Sequence, residues 1–543
     1  MNTVACFVTL LTRYSKHTRR TTAGKACYNT CASQSYMTLL QPSRPVRQGV
    51  VILMAVTLLL PLTILVRQYC QYNFFGLQDE GILLTYPDLM LRGYIPYVDF
   101  ATVYTPGNYY ILAAVYRIFG ESVSIERSIG IVYWFLTVSA IFLIGLRVSP
   151  ATAVLSALIA LGYVSLFDAP AALPHFAAYA VMLFAMLLLS KSADANGVAA
   201  KLYAFFAGLL AAATIWLKQD IGAVAIIATL TGASALDFAR VRALLSGFAL
   251  AAGVLLMFVL GLGLDKFVGS VIVGALRTAP GVALPITLNL SVVVVFICVG
   301  ANIVAAYLAA GAGVPKHLLC LTRSIATMSA GLSLAALHRF GPYDVSYLGV
   351  PIVGLTLVSL NIATTTLVRT GSAALLAIYF STGLLPVLVG HLAWPHRSGV
   401  RISHVVSEGR VVPWALFAAD STDPQPILDR INVSSREGEK LFVGPRDLRF
   451  TVQNDAVLYY LLPKLRPASR YIEMSAGRAN RFDSGLSGEL SSADWIILTS
   501  QFDDHIEPNA SRIPGSPEPN EVIRSHFCLR SRHGFWQLLQ RCS

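Results

Sequence analysis

Charge is scarce in this chain. Only 13% of its 543 residues are Asp, Glu, Lys or Arg, while 55% are apolar. A soluble globular protein carries about 25% charged residues, so that class is excluded. Acid is scarcer than base, with 29 Asp and Glu against 41 Lys and Arg, and residues 1–49 hold no acid beside seven basic residues. No Walker loop is present, and no Gly-x-Gly-x-x-Gly between strand and helix, so a nucleotide would find no phosphate cradle. The basic and aromatic modules of nucleic-acid readers are missing too, and the net charge of +12 needs another explanation. Eight cysteines are scattered along the chain. Cys27 and Cys31 have a metal-site spacing but no partner pair, so zinc is not expected there.

What the chain does have is long apolar runs. They cover 50–66, 129–146, 151–167, 176–189, 202–217, 222–236, 244–264, 290–312, 318–337, 347–367 and 373–394. A membrane-crossing helix needs about 20 apolar residues, or roughly 17 at the short end. The pattern predicts an all-α polytopic bundle of about eleven spans. Arg147, Lys191 with Lys201, Arg240 with Arg242, Lys316 with Arg323, and Arg369 fall at every second loop. Positive charge marks the cytoplasmic side. The basic excess is therefore a topology signal, placing the N-terminus in the cytoplasm and residues from about 395 onward outside.

Three regions follow. Residues 1–49 read as a disordered basic cytoplasmic leader, or as the product of a start codon placed too early. Residues 50–394 read as the membrane domain, with a long external loop at 68–127. In 395–543 composition changes to 18 Lys/Arg against 17 Asp/Glu with no spanning run, which predicts a small external α/β domain. Its expected strands are 441–443, 471–474 and 494–498, with a helix within 454–464 and a hairpin over 527–539 turning near His533-Gly534. Cys528 and Cys542 fall in this region; sequence separation leaves their pairing open.

The 68–127 loop is the most informative stretch. It carries six acids, including adjacent Asp79 and Glu80 directly after the first apolar run. Two apolar segments inside it, 81–92 and 108–119, are too short to cross and read as interfacial helices joined at Pro96 and Pro106. Long loops in such bundles usually carry function.

Asp79-Glu80-Gly81, then Gly93-Tyr94-Ile95-Pro96-Tyr97-Val98-Asp99-Phe100 and Tyr104-Thr105-Pro106-Gly107, resemble the membrane-embedded C-type glycosyltransferases (the GT-C fold). The nearest relatives would be the protein O-mannosyltransferases, the aminoarabinose transferases and bacterial envelope enzymes. The likeness is specific over 74–130, weaker at Pro174-His175-Phe176 and Lys218-Gln219-Asp220-Ile221-Gly222, and diffuse elsewhere. It implies inverting transfer of a sugar from a polyprenyl-phosphate donor to a glycan, lipid or protein acceptor. It also implies no metal or other cofactor, and a site outside the cell at the inner (plasma) membrane, where only lipid-linked donors exist.

The resemblance makes Asp79 the expected base and Glu80 its orienting or acceptor-binding neighbour. The bland alternative is that both acids solvate a loop or cap a helix. Asp99 is a candidate substrate residue, though Asp commonly bonds its own turn. Tyr104 belongs to the same substrate-binding set. Asp168 either faces Asp79 across a cavity or is a solvated loop acid, and His175 either binds substrate or caps a span. Lys218 and Arg339 are unusual on an external side poor in Lys and Arg, so a lipid phosphate is their expected partner. Pairing of Lys218 with Asp220 is the alternative. Residues 340–344 depart from the family pattern around Arg339.

Two rival classes remain. A transporter or flippase of lipid-linked glycans would show internal repeats and broken helices at mid-membrane. A non-catalytic envelope assembly protein would scatter these residues. Convergence of Asp79, Asp168, Lys218 and Arg339 on one pocket favours the enzyme.

Overall fold

The structure is a computed structural model and describes residues 79–164, 169–339, 342–363, 401–416, 423–451, 454–501, 503 and 507–542. The leader 1–49, the expected spans 50–66 and 373–394, and Asp168 lie outside these residues.

Two helices of the loop come first: α1 (Asp79–Leu91) and α2 (Gly107–Phe119). The bundle follows as α3 (Val123–Gly145), α4 (Pro150–Val164), α5 (Pro174–Asp194), α6 (Gly197–Leu217), α7 (Gln219–Ala233) and α8 (Phe238–Leu262). After a short turn and a π-helical segment come α9 (Ala275–Val282), α10 (Leu290–Gly311), α11 (Lys316–Ala336) and α12 (Pro342–Ala363). Six of the described helices are long and apolar enough to cross a membrane, and shorter apolar helices cover 150–164, 219–233 and 347–363. The protein is an integral membrane protein.

The closest helix contacts are made through glycine. A Cβ on Gly208 of α6 would stand 2.0 Å from Leu244 O, and one on Gly247 of α8 would stand 2.0 Å from Phe205 O. Small residues let spanning helices approach this closely, because lipid offers no hydrophobic force to hold them otherwise. Backbone oxygen cannot rotate away as a side chain would. Gly208→Ala is therefore expected to cost about 1–3 kcal/mol, read as a lower melting temperature in detergent. Gly253→Ala on the same α8 helix, where a Cβ meets nothing within 4 Å, serves as the control and should melt like wild type.

Helix ends sort into two groups. At one end Arg147 pairs with Asp194, which also contacts His317 Nδ1 at 2.6 Å. There Arg240 donates to Ala193 O and Ala195 O at 3.1 and 3.0 Å, and Arg323 donates to Ser234 Oγ at 2.7 Å. These are the basic loops that the charge alternation placed together. At the other end lie α1, α2, the 169–173 loop, Lys218 and Arg339.

The rest is an α/β region on that second end. Strands β1 (Arg401–Ser407) and β2 (Arg410–Leu416) form a hairpin. Strands β3 (Lys440–Pro445), β4 (Arg466–Pro467), β5 (Trp495–Thr499), β6 (Phe527–His533) and β7 (Trp536–Arg541) form a sheet in the order β4-β3-β5-β7-β6. β3 runs parallel to β4 and β5, whereas β7 pairs antiparallel with β5 and β6. The β6–β7 turn falls at His533-Gly534 as expected, and Cys528 is bonded to Cys542. The helix expected within 454–464 is one short turn, α13 (Val457–Leu461).

The segment 471–474 is not a strand. Tyr471, Ile472 and Met474 are buried as apolar residues of a short run should be, but Ile472 O accepts from Asn454 Nδ2 at 2.8 Å instead of from a ladder. α1 also differs from an interfacial helix, being buried from Glu80 to Leu89. Its buried polar groups find partners in the protein, Glu80 in Arg127, Thr85 in Ala456 O and Asp88 in Arg410, so enclosure satisfies it better than an interface would. Ala101, from the same loop, joins the core of the sheet region with Phe442, Ile496 and Leu539.

Candidate active site

Loop chemistry positions the site. In the 96–100 turn Tyr97 has a positive φ of 68°, its N–H donates to Phe100 O at 2.8 Å, and its hydroxyl donates to Tyr104 O at 2.8 Å. Such backbone strain in a bulky residue persists only where the surroundings enforce it. Phe100 stacks on Tyr86 at 4.7 Å, and Tyr109 meets Tyr86 edge-on at 5.2 Å. These rings fasten the loop to α1.

Two glycines of the sequence pattern mark close approaches. A Cβ on Gly107 would lie 2.4 Å from Trp216 O, so only glycine lets α2 begin against the end of α6. That contact brings the α6–α7 corner to the loop. Gln219 Nε2 donates to Val103 O at 2.9 Å, and Lys218 Nζ lies 5.6 Å from the centre of the Tyr104 ring. A Cβ on Gly81 would meet Val457 N at 2.9 Å, so α13 can press on α1. Thr85 Oγ1 seals that joint by donating to Ala456 O at 2.9 Å.

Asp79 opens α1. Its side chain is solvent-accessible, yet it is enclosed by enough protein that burial is the main influence on it. Burial raises its carboxyl above the usual carboxylate range, Arg339 pulls it back, and Glu80 raises it further. Glu80 itself is turned away. It receives Arg127 Nε at 2.8 Å and Arg127 Nη2 at 3.1 Å, with both residues buried. Its carboxylate thus clamps α1 to α3.

Lys218 is buried and pairs with Asp220 at 3.0 Å, so the pairing alternative is realised while Lys218 also stacks on Tyr104. Arg339 pairs with Glu507 at 2.9 Å, donates to Val282 O at 3.2 Å, and its charge reaches Asp79. His175 stacks against Tyr347 at 4.6 Å and leaves Nδ1 without a partner. Asp99 is exposed and uses its carboxylate to accept from Ile95 N, four residues earlier, at 2.7 Å, which ties the turn to itself.

Two groups escaped the sequence reading. Glu473 and Arg478 lie nearly four hundred residues from Asp79, Glu473 on the segment expected to be a strand and Arg478 four residues after it. Burial raises the Glu473 carboxyl to about 7, with Arg478 lowering it and Asp79 raising it. Tyr104 is raised by burial first, then by the negative charges of Glu473 and Asp79. Asp79, Glu473, Arg339, Tyr104 and Lys218 therefore form one electrostatic neighbourhood. Asp99 stands outside it. Beyond the 477–483 segment opens a cleft of about 440 Å³, lined by Arg277, Pro280, Phe482, Asp483 and Ile513 among others.

No protein-family model and no curated protein matches the chain. Among solved structures, ArnT from Cupriavidus metallidurans bound to undecaprenyl phosphate aligns with a TM-score of 0.54 at 11% identity, over 91% of this chain and 98% of that one. The apo state of that protein (0.45, 12%, 91% and 98%) and the Archaeoglobus fulgidus oligosaccharyltransferase in complex with zinc and sulfate (0.44, 11%, 84% and 68%) align more loosely. The chain has the fold of the membrane-embedded C-type glycosyltransferases.

Proposed function

We propose that the protein transfers a sugar from a polyprenyl-phosphate donor to an envelope acceptor, with inversion, on the external face of the cell membrane. The observation that carries this reading is the gathering of Asp79, Tyr104, Lys218 and Arg339 at one end of a GT-C bundle. The similar ArnT structure holds undecaprenyl phosphate, which supports a donor of that chemistry. Asp79 takes the proton from the acceptor as the acceptor's O or N bonds to the anomeric carbon. The bond from that carbon to phosphate oxygen breaks, and the electron pair leaves on polyprenyl phosphate. A carboxyl raised by burial suits this task, because a general base works best with a pKa near the working pH. Glu80 positions Asp79 through Arg127.

Lys218 binds the donor phosphate as a point charge. Its tie to Asp220, whose side chain is 45% exposed, is the bond a phosphate would exchange or share. The test uses purified protein, synthetic polyprenyl-phosphate sugars and an envelope fraction, following labelled sugar into acceptor. Lys218→Ala is expected to weaken undecaprenyl phosphate binding about 10-fold or more, the scale of one lost charged hydrogen bond, and to leave the melting temperature in detergent unchanged. Equal affinity in wild type and variant would remove Lys218 from the site. Absence of transfer from every such donor would defeat the reading itself.

A further inference from the structure

The segment that carries Glu473 is held on two sides. Arg470 O accepts from Ala101 N at 2.8 Å, which joins it to the loop between α1 and α2. On its other side a Cβ on Gly477, where φ is +77°, would lie 2.5 Å from Arg277 O, and Ala476 Cβ lies 2.9 Å from the position a Cβ on Gly281 would take. Both contacts are with α9. Between these anchors Glu473 lies within electrostatic reach of Asp79 and Arg478, Ser475 offers its hydroxyl to the carboxylate, and Oε2 is buried with no hydrogen-bond partner. A buried carboxylate oxygen without a donor is costly, and such an orphan in a folded protein calls for a ligand that supplies one.

We infer that Glu473 holds the acceptor opposite Asp79, and that the acceptor is a carbohydrate presenting two neighbouring hydroxyls. This rests on the transfer reading above and adds the acceptor class to it. One hydroxyl gives its proton to Asp79 while its oxygen bonds to the anomeric carbon and polyprenyl phosphate departs. The adjacent hydroxyl donates to Glu473, which is unchanged by the reaction. A lone serine or threonine hydroxyl supplies no second donor and leaves Oε2 unsatisfied. The cleft beyond the same segment fits the rest of a glycan. Phe482 is 75% exposed there, offering an apolar face to sugar C–H groups. Arg481 makes paired bonds to Asp483 at 2.7 and 2.8 Å, and Arg277 also lines the cleft.

The experiment measures transfer from a polyprenyl-phosphate sugar to octyl glycosides and, separately, to a serine- and threonine-containing peptide library. Wild type is expected to accept glycosides and refuse peptides. Glu473→Gln is expected to raise the glycoside KM at least tenfold while undecaprenyl phosphate affinity stays within twofold, with Glu473→Asp intermediate. Phe482→Ala, an exposed position, is expected to raise the same KM severalfold with kcat retained. Transfer to peptides, refusal of every glycoside, an unchanged KM in Glu473→Gln, or a parallel loss of donor affinity would each overturn the inference. If wild type shows no transfer to the envelope fraction either, the transfer reading has failed first.

Discussion

Asp79→Asn is expected to lower the rate of transfer by about 100- to 10,000-fold, the usual cost of removing a general base. Asparagine keeps the shape and most hydrogen bonds of aspartate, so the variant should fold and bind undecaprenyl phosphate like wild type. A pH profile separates this role from a structural one. The base works ionised, and burial raises the Asp79 carboxyl, so the wild-type rate should rise with pH through that raised value. Glu473, pushed up to about 7 and raised in part by the Asp79 charge, titrates beside it. The two therefore give apparent values that belong to the pair. In Asp79→Asn that charge is gone, and the limb that remains should move to lower pH. Arg478, on the Glu473 side, and Arg339, on the Asp79 side, oppose these shifts and are present in both proteins. Single-turnover transfer measured between pH 5 and 9 is the assay. A rate within a few-fold of wild type would take the base away from Asp79 and leave Glu473 or Asp168 to supply it.

The membrane helices were legible because lipid imposes a single rule on them. A long apolar run must be helical to satisfy its own backbone, and hydropathy alone reveals it. The motif glycines were legible as a pattern but not as a cause. Gly107 and Gly81 owe their identity to Trp216 and Val457, partners that local sequence cannot reveal. The hairpin of β1 and β2 was missed for two local reasons. Its turn is Glu408-Gly409, both at positive φ (50° and 80°), in place of the usual Asn-Gly or Asp-Gly. β2 also contains Pro413, which argues against a strand in sequence alone.

Glu473 and Arg478 show the deeper limit. The apolar residues of Tyr471-Ile472-Glu473-Met474 do report burial, which is shared by strands and by wedged loops. Only the fate of the backbone bonds distinguishes them, and those bonds end on Asn454, Ser469 and Ser475 instead of a neighbouring strand. Asp99 errs in the opposite direction. It stands in the strongest part of the sequence pattern, yet its carboxylate serves the turn that carries Tyr97 and Phe100 toward α1. A motif residue can thus shape a site without lining it.

Arg127→Met should be the most destabilising single change in the described bundle, costing about 3–5 kcal/mol, as breaking a buried ion pair does. Arg127 is fully buried and Glu80 is 3% exposed, so water cannot solvate the carboxylate left behind. Removing Arg127 therefore leaves the Glu80 carboxylate without its guanidinium in a dry region. Methionine fills much of the volume, which keeps the effect electrostatic. The measurement is thermal unfolding in detergent, compared with Glu80→Gln and with the double variant Glu80→Gln/Arg127→Met. The double variant should melt above Arg127→Met, since it removes the stranded charge. Activity gives an independent check. Where Arg127→Met remains folded at low temperature, transfer should be slower because α1 no longer holds Asp79 in place. The pH dependence should still be that of wild type, because the base is intact. A melting temperature unchanged by Arg127→Met would mean that the clamp between α1 and α3 contributes nothing to the fold, and the positioning role of Glu80 would fall with it.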